Sequence, residues 1–148
     1  MTIIKRLGMA GALASTLAFA GCSTTNSMLG RNQQTWTMSA DKAVPSAQGK
    51  VEIATDDKGN RDLKVETKHL APAETAFPGM STYVVWLKPA EGKPINIGVL
   101  APDKKLNAEL ETKTAYTDFK IMVTAENGPQ PVHPSLMEVM SAKVVVAT

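Results

Sequence analysis

The sequence predicts an all-β protein, an antiparallel β-sandwich of about seven strands, and three observations carry that expectation. Apolar residues recur at every second position over short stretches, Pro/Gly-rich breaks separate those stretches, and no sustained amphipathic helical pattern lies among them. A small barrel is the other way of closing the same strands.

The chain of 148 residues opens with Lys5 and Arg6, followed by an uncharged Ala/Leu-rich run from Leu7 to Ala20. That run is shorter than the roughly 20 apolar residues a spanning helix needs, and a positive start before a short apolar stretch is the pattern of a secretory signal. Phe19-Ala20-Gly21 then lead directly into Cys22, the only cysteine, and Ser23 follows it. This arrangement resembles the lipobox of bacterial lipoproteins. The resemblance implies that residues 1–21 are cleaved off and that the Cys22 thiol takes a diacylglyceryl group, with the new amino terminus acylated. It also implies, through Ser23 after the cysteine, delivery to the outer membrane facing the periplasm. Two or three acyl chains hold a protein stably, whereas one holds it only marginally.

Loss of the leader removes Lys5 and Arg6 from a total of 16 Lys+Arg against 14 Asp+Glu, so the remaining chain is balanced in charge. No basic excess is left to favour nucleic acid or anionic lipid. With one cysteine there is no internal disulfide, and the core must hold by packing.

Residues 22–35 read as the lipidated terminus and a flexible Ser/Thr/Asn/Gln/Gly-rich tether, and residues 36–148 as the sandwich domain. Val51 and Ile53 alternate with Lys50 and Glu52, and Leu63, Val65 and Thr67 with Lys64, Glu66 and Lys68. Asp56 to Asn60 between them form a reversing turn, so the whole is a hairpin with one buried face. Pro72, Pro78 and Gly79 mark a loop. Ser81 to Leu87 is apolar on both faces, as a central strand covered on each side is. Ile95, Ile97 and Val99 predict the next strand, Leu106, Ala108 and Leu110 another, and Phe119, Ile121 and Val123 another. The Pro-rich run from Glu126 to Pro134 is loop, and Val139 to Ala147 is the last strand, with a short helical turn through Leu136, Val139 and Met140 as the alternative.

Thr82-Tyr83-Val84-Val85-Trp86-Leu87, Asn96-Ile97-Gly98-Val99-Leu100 and Phe119 to Glu126 form a pattern that resembles the extracytoplasmic domain of anti-sigma-K factors over roughly residues 50 to 147. The resemblance implies an immunoglobulin-like sandwich in an extracytoplasmic compartment. The cytosolic helical domain and transmembrane helix of those factors have no counterpart in these residues, so fold and compartment transfer and sigma-factor inhibition does not.

No Gly-x-Ser-x-Gly, His-Glu-x-x-His, Gly-Lys-Ser/Thr or dinucleotide fingerprint occurs, so no catalytic residues and no cofactor are expected. Asp56-Asp57 and Glu109/Glu111 read as solvated charges, and His69 as an exposed or edge histidine. His133, Met137 and Met140 form the one soft-ligand set, suited to Cu(I), against which stands the ordinary use of Met as core filler. The expected function is therefore a non-enzymatic, lipid-anchored envelope module for protein interaction or structure, in contact with the bilayer through Cys22 and with an envelope protein. A periplasmic copper-binding protein and a sensory accessory module are the alternatives.

Overall fold

The computed structural model describes residues 32–148, in which eight antiparallel strands account for nearly all regular structure. They are β1 (Asn32–Ala40), β2 (Gln48–Thr55), β3 (Arg61–Lys68), β4 (Thr82–Pro89), β5 (Ile95–Leu100), β6 (Ala108–Thr114), β7 (Asp118–Glu126) and β8 (Glu138–Val145), with one turn of helix, α1 (Ala73–Ala76), between β3 and β4. The predicted leader and Cys22 lie outside the described residues.

The strands form one sheet in the order β5-β4-β7-β8-β1-β2-β3-β6. It folds on itself at β1, whose residues Asn32 to Met38 pair with β2 while Ser39 and Ala40 pair with β8. One strand thus serves both layers. The two free edges, β5 and β6, come back together where Leu110 packs against Gly98, so the sandwich is nearly closed.

Between the layers sit the residues that the period-two pattern turns inward: Val51, Ile53, Leu63 and Val65 from one, Tyr83, Val85, Leu87, Phe119, Ile121, Val123, Met140 and Val144 from the other. Each such side chain, fully buried, contributes about 1.5–3 kcal/mol of transfer free energy. Gly49 lies where the layers meet, and a Cβ there would stand 2.7 Å from the Met140 sulfur and 3.0 Å from that of Met38. The two thioethers fill the space a side chain would take.

Three expectations are corrected by this arrangement, and the open choice at the last segment is decided for the strand. The tether does not run to Thr35: Asn32 to Thr35 are already strand, paired with Glu52 to Thr55. Polar sequence hid β1, because its ladder bonds come from the backbone and only Gln34, Trp36 and Met38 turn inward. This is the eighth strand. Leu106 is not the start of a strand but part of the turn before β6. The segment through Leu136, Val139 and Met140 is extended from Glu138 onward and pairs with β7. Finally, the 69–81 connection holds a turn of helix pinned to β4: Tyr83 Oη donates to the Ala71 carbonyl at 2.5 Å, and the Phe77 ring meets that of Tyr83 edge-on at 6.4 Å. Burial, with some help from the Glu74 carboxylate, pushes the Tyr83 hydroxyl up to about 12.

Candidate functional site

The antiparallel order sorts the connections into two groups. At one pole lie the chain's described start at Asn32, the turns 56–60, 90–94 and 115–117, and the last residues 146–148. At the other pole lie 41–47, 69–81, 101–107 and 127–137, the longer connections. Asn32 pairs with Thr55, beside the 56–60 turn, so the longer connections sit at the pole away from the point where the chain enters the sandwich. Loops on a rigid β scaffold are where such folds carry recognition.

The 127–137 connection is anchored by a buried polar chain. Trp86 and Thr124 project from the outer face of β4 and β7, each 1% exposed, and Glu126 is 5% exposed. Trp86 Nε1 donates to Thr124 Oγ1 at 2.8 Å, and the Thr124 hydroxyl donates to Glu126 Oε1 at 2.5 Å. The same carboxylate oxygen accepts the Ser135 amide at 2.7 Å, while Ser135 Oγ donates to the Ala125 carbonyl and Asn96 Nδ2 to that of Pro129. Buried polar groups satisfied in this way fix one geometry. Trp86, expected between covered faces, is buried on the outer face beside this loop and takes no part in the core between the layers.

The outward side of the loop is different in character. Val132 is 84% exposed, Leu136 fully so, and His133 and Met137 are exposed beside them. Met140 is not with them: it is 1% exposed, its sulfur against Gly49 in the core. The structure therefore separates the predicted copper ligands, since β8 turns Met140 inward while His133 and Met137 remain in solvent. Among the described residues no group of three His, Cys, Asp or Glu side chains is placed to hold a metal ion.

The outer face of β2, β3 and β6 carries a lattice of ion pairs. Lys50 bridges Glu52 and Glu66 at 2.6 Å each, and Lys64 reaches Glu66 at 2.8 Å, Glu109 at 3.2 Å and Glu111 at 3.8 Å. Glu109 and Glu111, which read as solvated charges, are Lys64 partners. Burial raises the Glu66 carboxyl, yet the two ammonium groups outweigh it and hold it below its ordinary value. Hydrogen bonding to Glu66 holds the Lys64 ammonium well above its own.

A feature that the sequence reading missed is a pair of equivalent turns. In 56–60, Asp56 Oδ1 accepts the amides of Lys58 and Asn60 at 2.9 Å each, and Gly59 N donates to the Asp56 carbonyl at 3.0 Å. In 103–107, Asp103 Oδ1 accepts the amides of Lys105 at 2.8 Å and Asn107 at 3.0 Å, and Leu106 N donates to the Asp103 carbonyl at 3.0 Å. The shared Asp-x-Lys-x-Asn spacing was the available signal.

No protein-family model matches the chain, and no curated protein matches it either.

Proposed function

We propose that this chain is a lipid-anchored protein of the bacterial envelope whose β-sandwich binds another protein and performs no catalysis of its own. The observation that carries the reading is polarity. The longer connections gather at the pole away from Asn32, where the body joins whatever anchors it, so a body tethered near residue 32 presents them outward. Acylation at Cys22 supplies the anchor.

Two further features support the reading. The 127–137 loop combines a fixed polar root with exposed Val132, Leu136 and Met137, a pre-ordered apolar surface of the kind protein partners cover. The Phe19-to-Cys22 segment and the resemblance to anti-sigma-K extracytoplasmic domains favour an exported, membrane-held module.

The test has two parts. Cys22→Ser should move the protein from the membrane to the soluble fraction of fractionated cells. A photoreactive amino acid at Leu136 in the lipidated protein should give a discrete protein adduct in intact cells. Retention of Cys22→Ser in the membrane overturns the anchor, and absence of any adduct counts against the binding role at this loop.

A further inference from the structure

The two equivalent turns differ at the position where the backbone is left-handed. Gly59 takes φ +83° in one and Leu106 takes φ +65° in the other. Glycine enters that region freely, whereas a leucine is held there at a cost of about 1–2 kcal/mol. The same hydrogen-bonded turn is thus built without strain at the 56–60 pole and with strain at the other, by a side chain that is 36% exposed. Strain that folding does not require points to use.

The surroundings of Leu106 are cationic. The Leu70 amide donates to the Leu106 carbonyl at 3.0 Å, which brings the end of β3 against this turn, with Lys68 and His69 preceding the donor in sequence and Lys104 and Lys105 preceding the acceptor. All four are exposed, and His69 is the other non-glycine residue at positive φ among the described residues, at +55°. Lys68, Lys104 and Lys105 have no ion-pair partner among the described residues. Three acids share a groove with Lys68, and each is engaged: Asp103 accepts two amides of its own turn, Glu109 pairs with Lys64, and Glu66 pairs with Lys50 and Lys64. An open groove of about 660 Å³ runs from here, lined by Lys68, Asp103, Asn107, Glu109, Glu66 and Lys50.

We propose that this corner, with Leu106 at its centre and Lys68, His69, Lys104 and Lys105 around it, binds an acidic polypeptide segment that covers Leu106 with an aliphatic side chain. The inference rests on the proposed function and names the chemistry of the partner. Uncompensated cations on a chain otherwise balanced in charge attract and orient an acidic partner, and an aliphatic centre gives a buried anchor that a polyanionic glycan has no group to cover.

The test uses the full lipidated chain in intact cells, with a photoreactive amino acid at Lys104, at Lys58 in the equivalent turn of the opposite pole, and at Leu136. Lys104 should give protein adducts, mapped to a segment of net negative charge, with yield about fivefold above Lys58. The double change Lys68→Glu with Lys105→Glu should cut that yield about fivefold without altering the protein's level, as loss of charge complementarity does. Leu106→Gly relieves the backbone, so it should lower the yield while thermal stability is kept, an outcome that a purely structural leucine would not give. Adducts on glycan or lipid, a segment without acidic excess, or a yield indifferent to charge reversal overturns the proposal. An adduct at Leu136 with none at Lys104 removes this corner and leaves the binding role standing; none at either position removes both.

Discussion

Trp86 and Thr124 are joined at 2.8 Å by a hydrogen bond from the indole to the threonine hydroxyl, and through that hydroxyl the outer face of β4 is tied to Glu126 and the 127–137 loop. Thr124→Val keeps shape and removes the middle of this chain. It leaves a buried indole N–H without an acceptor and takes from the carboxylate one of its two donors, leaving the Ser135 amide, which should cost about 1–3 kcal/mol by chemical denaturation. Trp86→Ala, which empties a much larger volume, should cost about 3–5 kcal/mol. Hydrogen exchange at Ser135 should accelerate in Thr124→Val well before global unfolding, because its acceptor loses its own support. Unchanged stability and exchange in Thr124→Val would contradict the tie.

How much of this was legible in the sequence follows from which forces leave a pattern. Alternation of apolar residues marked the strands with one buried face, Val51 and Ile53, Leu63 and Val65, Phe119, Ile121 and Val123 all standing in the core, while β4 was marked by an apolar run that is buried on both faces. β1 left only a short trace, because of its three inward residues Gln34 is polar and only Trp36 and Met38 are apolar, within a segment otherwise of Asn, Gln, Thr and Ser up to Ala40. The copper set was split for a related reason. Spacing placed His133, Met137 and Met140 close along the chain, while the strand that starts at Glu138 turned Met140 into the interior. The outward polar chain of Thr124 and Glu126 was invisible, as only the fold brings Ser135 back onto Glu126.

Closure of the sandwich depends on a missing side chain. Gly98 has φ +146°, and a Cβ there would lie 2.7 Å from Leu110 Cδ1 and 3.1 Å from its Cδ2. Gly98→Ala therefore meets both an unfavourable backbone and an overfilled seam, and should lose about 2–4 kcal/mol. Leu110→Ala in the same chain should recover the steric part and leave the backbone part. No loss in Gly98→Ala alone would show that the layers are further apart than Leu110 places them, and full recovery in the double variant would show that the backbone at this position costs an alanine nothing.

The ion-pair face predicts the pH profile. Glu66 is held below its ordinary value, so it contributes stability present above its unfolded pKa and lost as pH falls through the folded one. Lys64 is held above its ordinary value, so its contribution is present below about 10.5 and lost as pH rises through the folded one. Tyr83, pushed up to about 12, adds a second alkaline loss between its ordinary value and that figure. Stability should be flat around neutrality and fall at both ends. Glu66→Gln should flatten the acid limb and Tyr83→Phe part of the alkaline limb. A profile unaffected by either change would assign the pH dependence to other groups.

The two equivalent turns allow their central residues to be exchanged. Gly59→Leu puts into 56–60 what 103–107 already holds, in open space where a Cβ at Gly59 meets nothing within 4 Å, so only the backbone conformation is tested. It should cost about 1–2 kcal/mol. Leu106→Gly makes the reverse change. It gains the same backbone relief, gives back about 0.5–1 kcal/mol through the greater freedom of glycine in the unfolded chain, and loses the contacts of a side chain partly exposed to solvent. The expected sum is a stability within about 0.5 kcal/mol of the parent, in contrast to the loss in the other turn. Thermal melts of the two single variants and of the double exchange measure it. A loss in Leu106→Gly as large as that of a buried leucine would mean that Leu106 is held by packing, and would remove the strain on which its proposed role as a binding anchor depends.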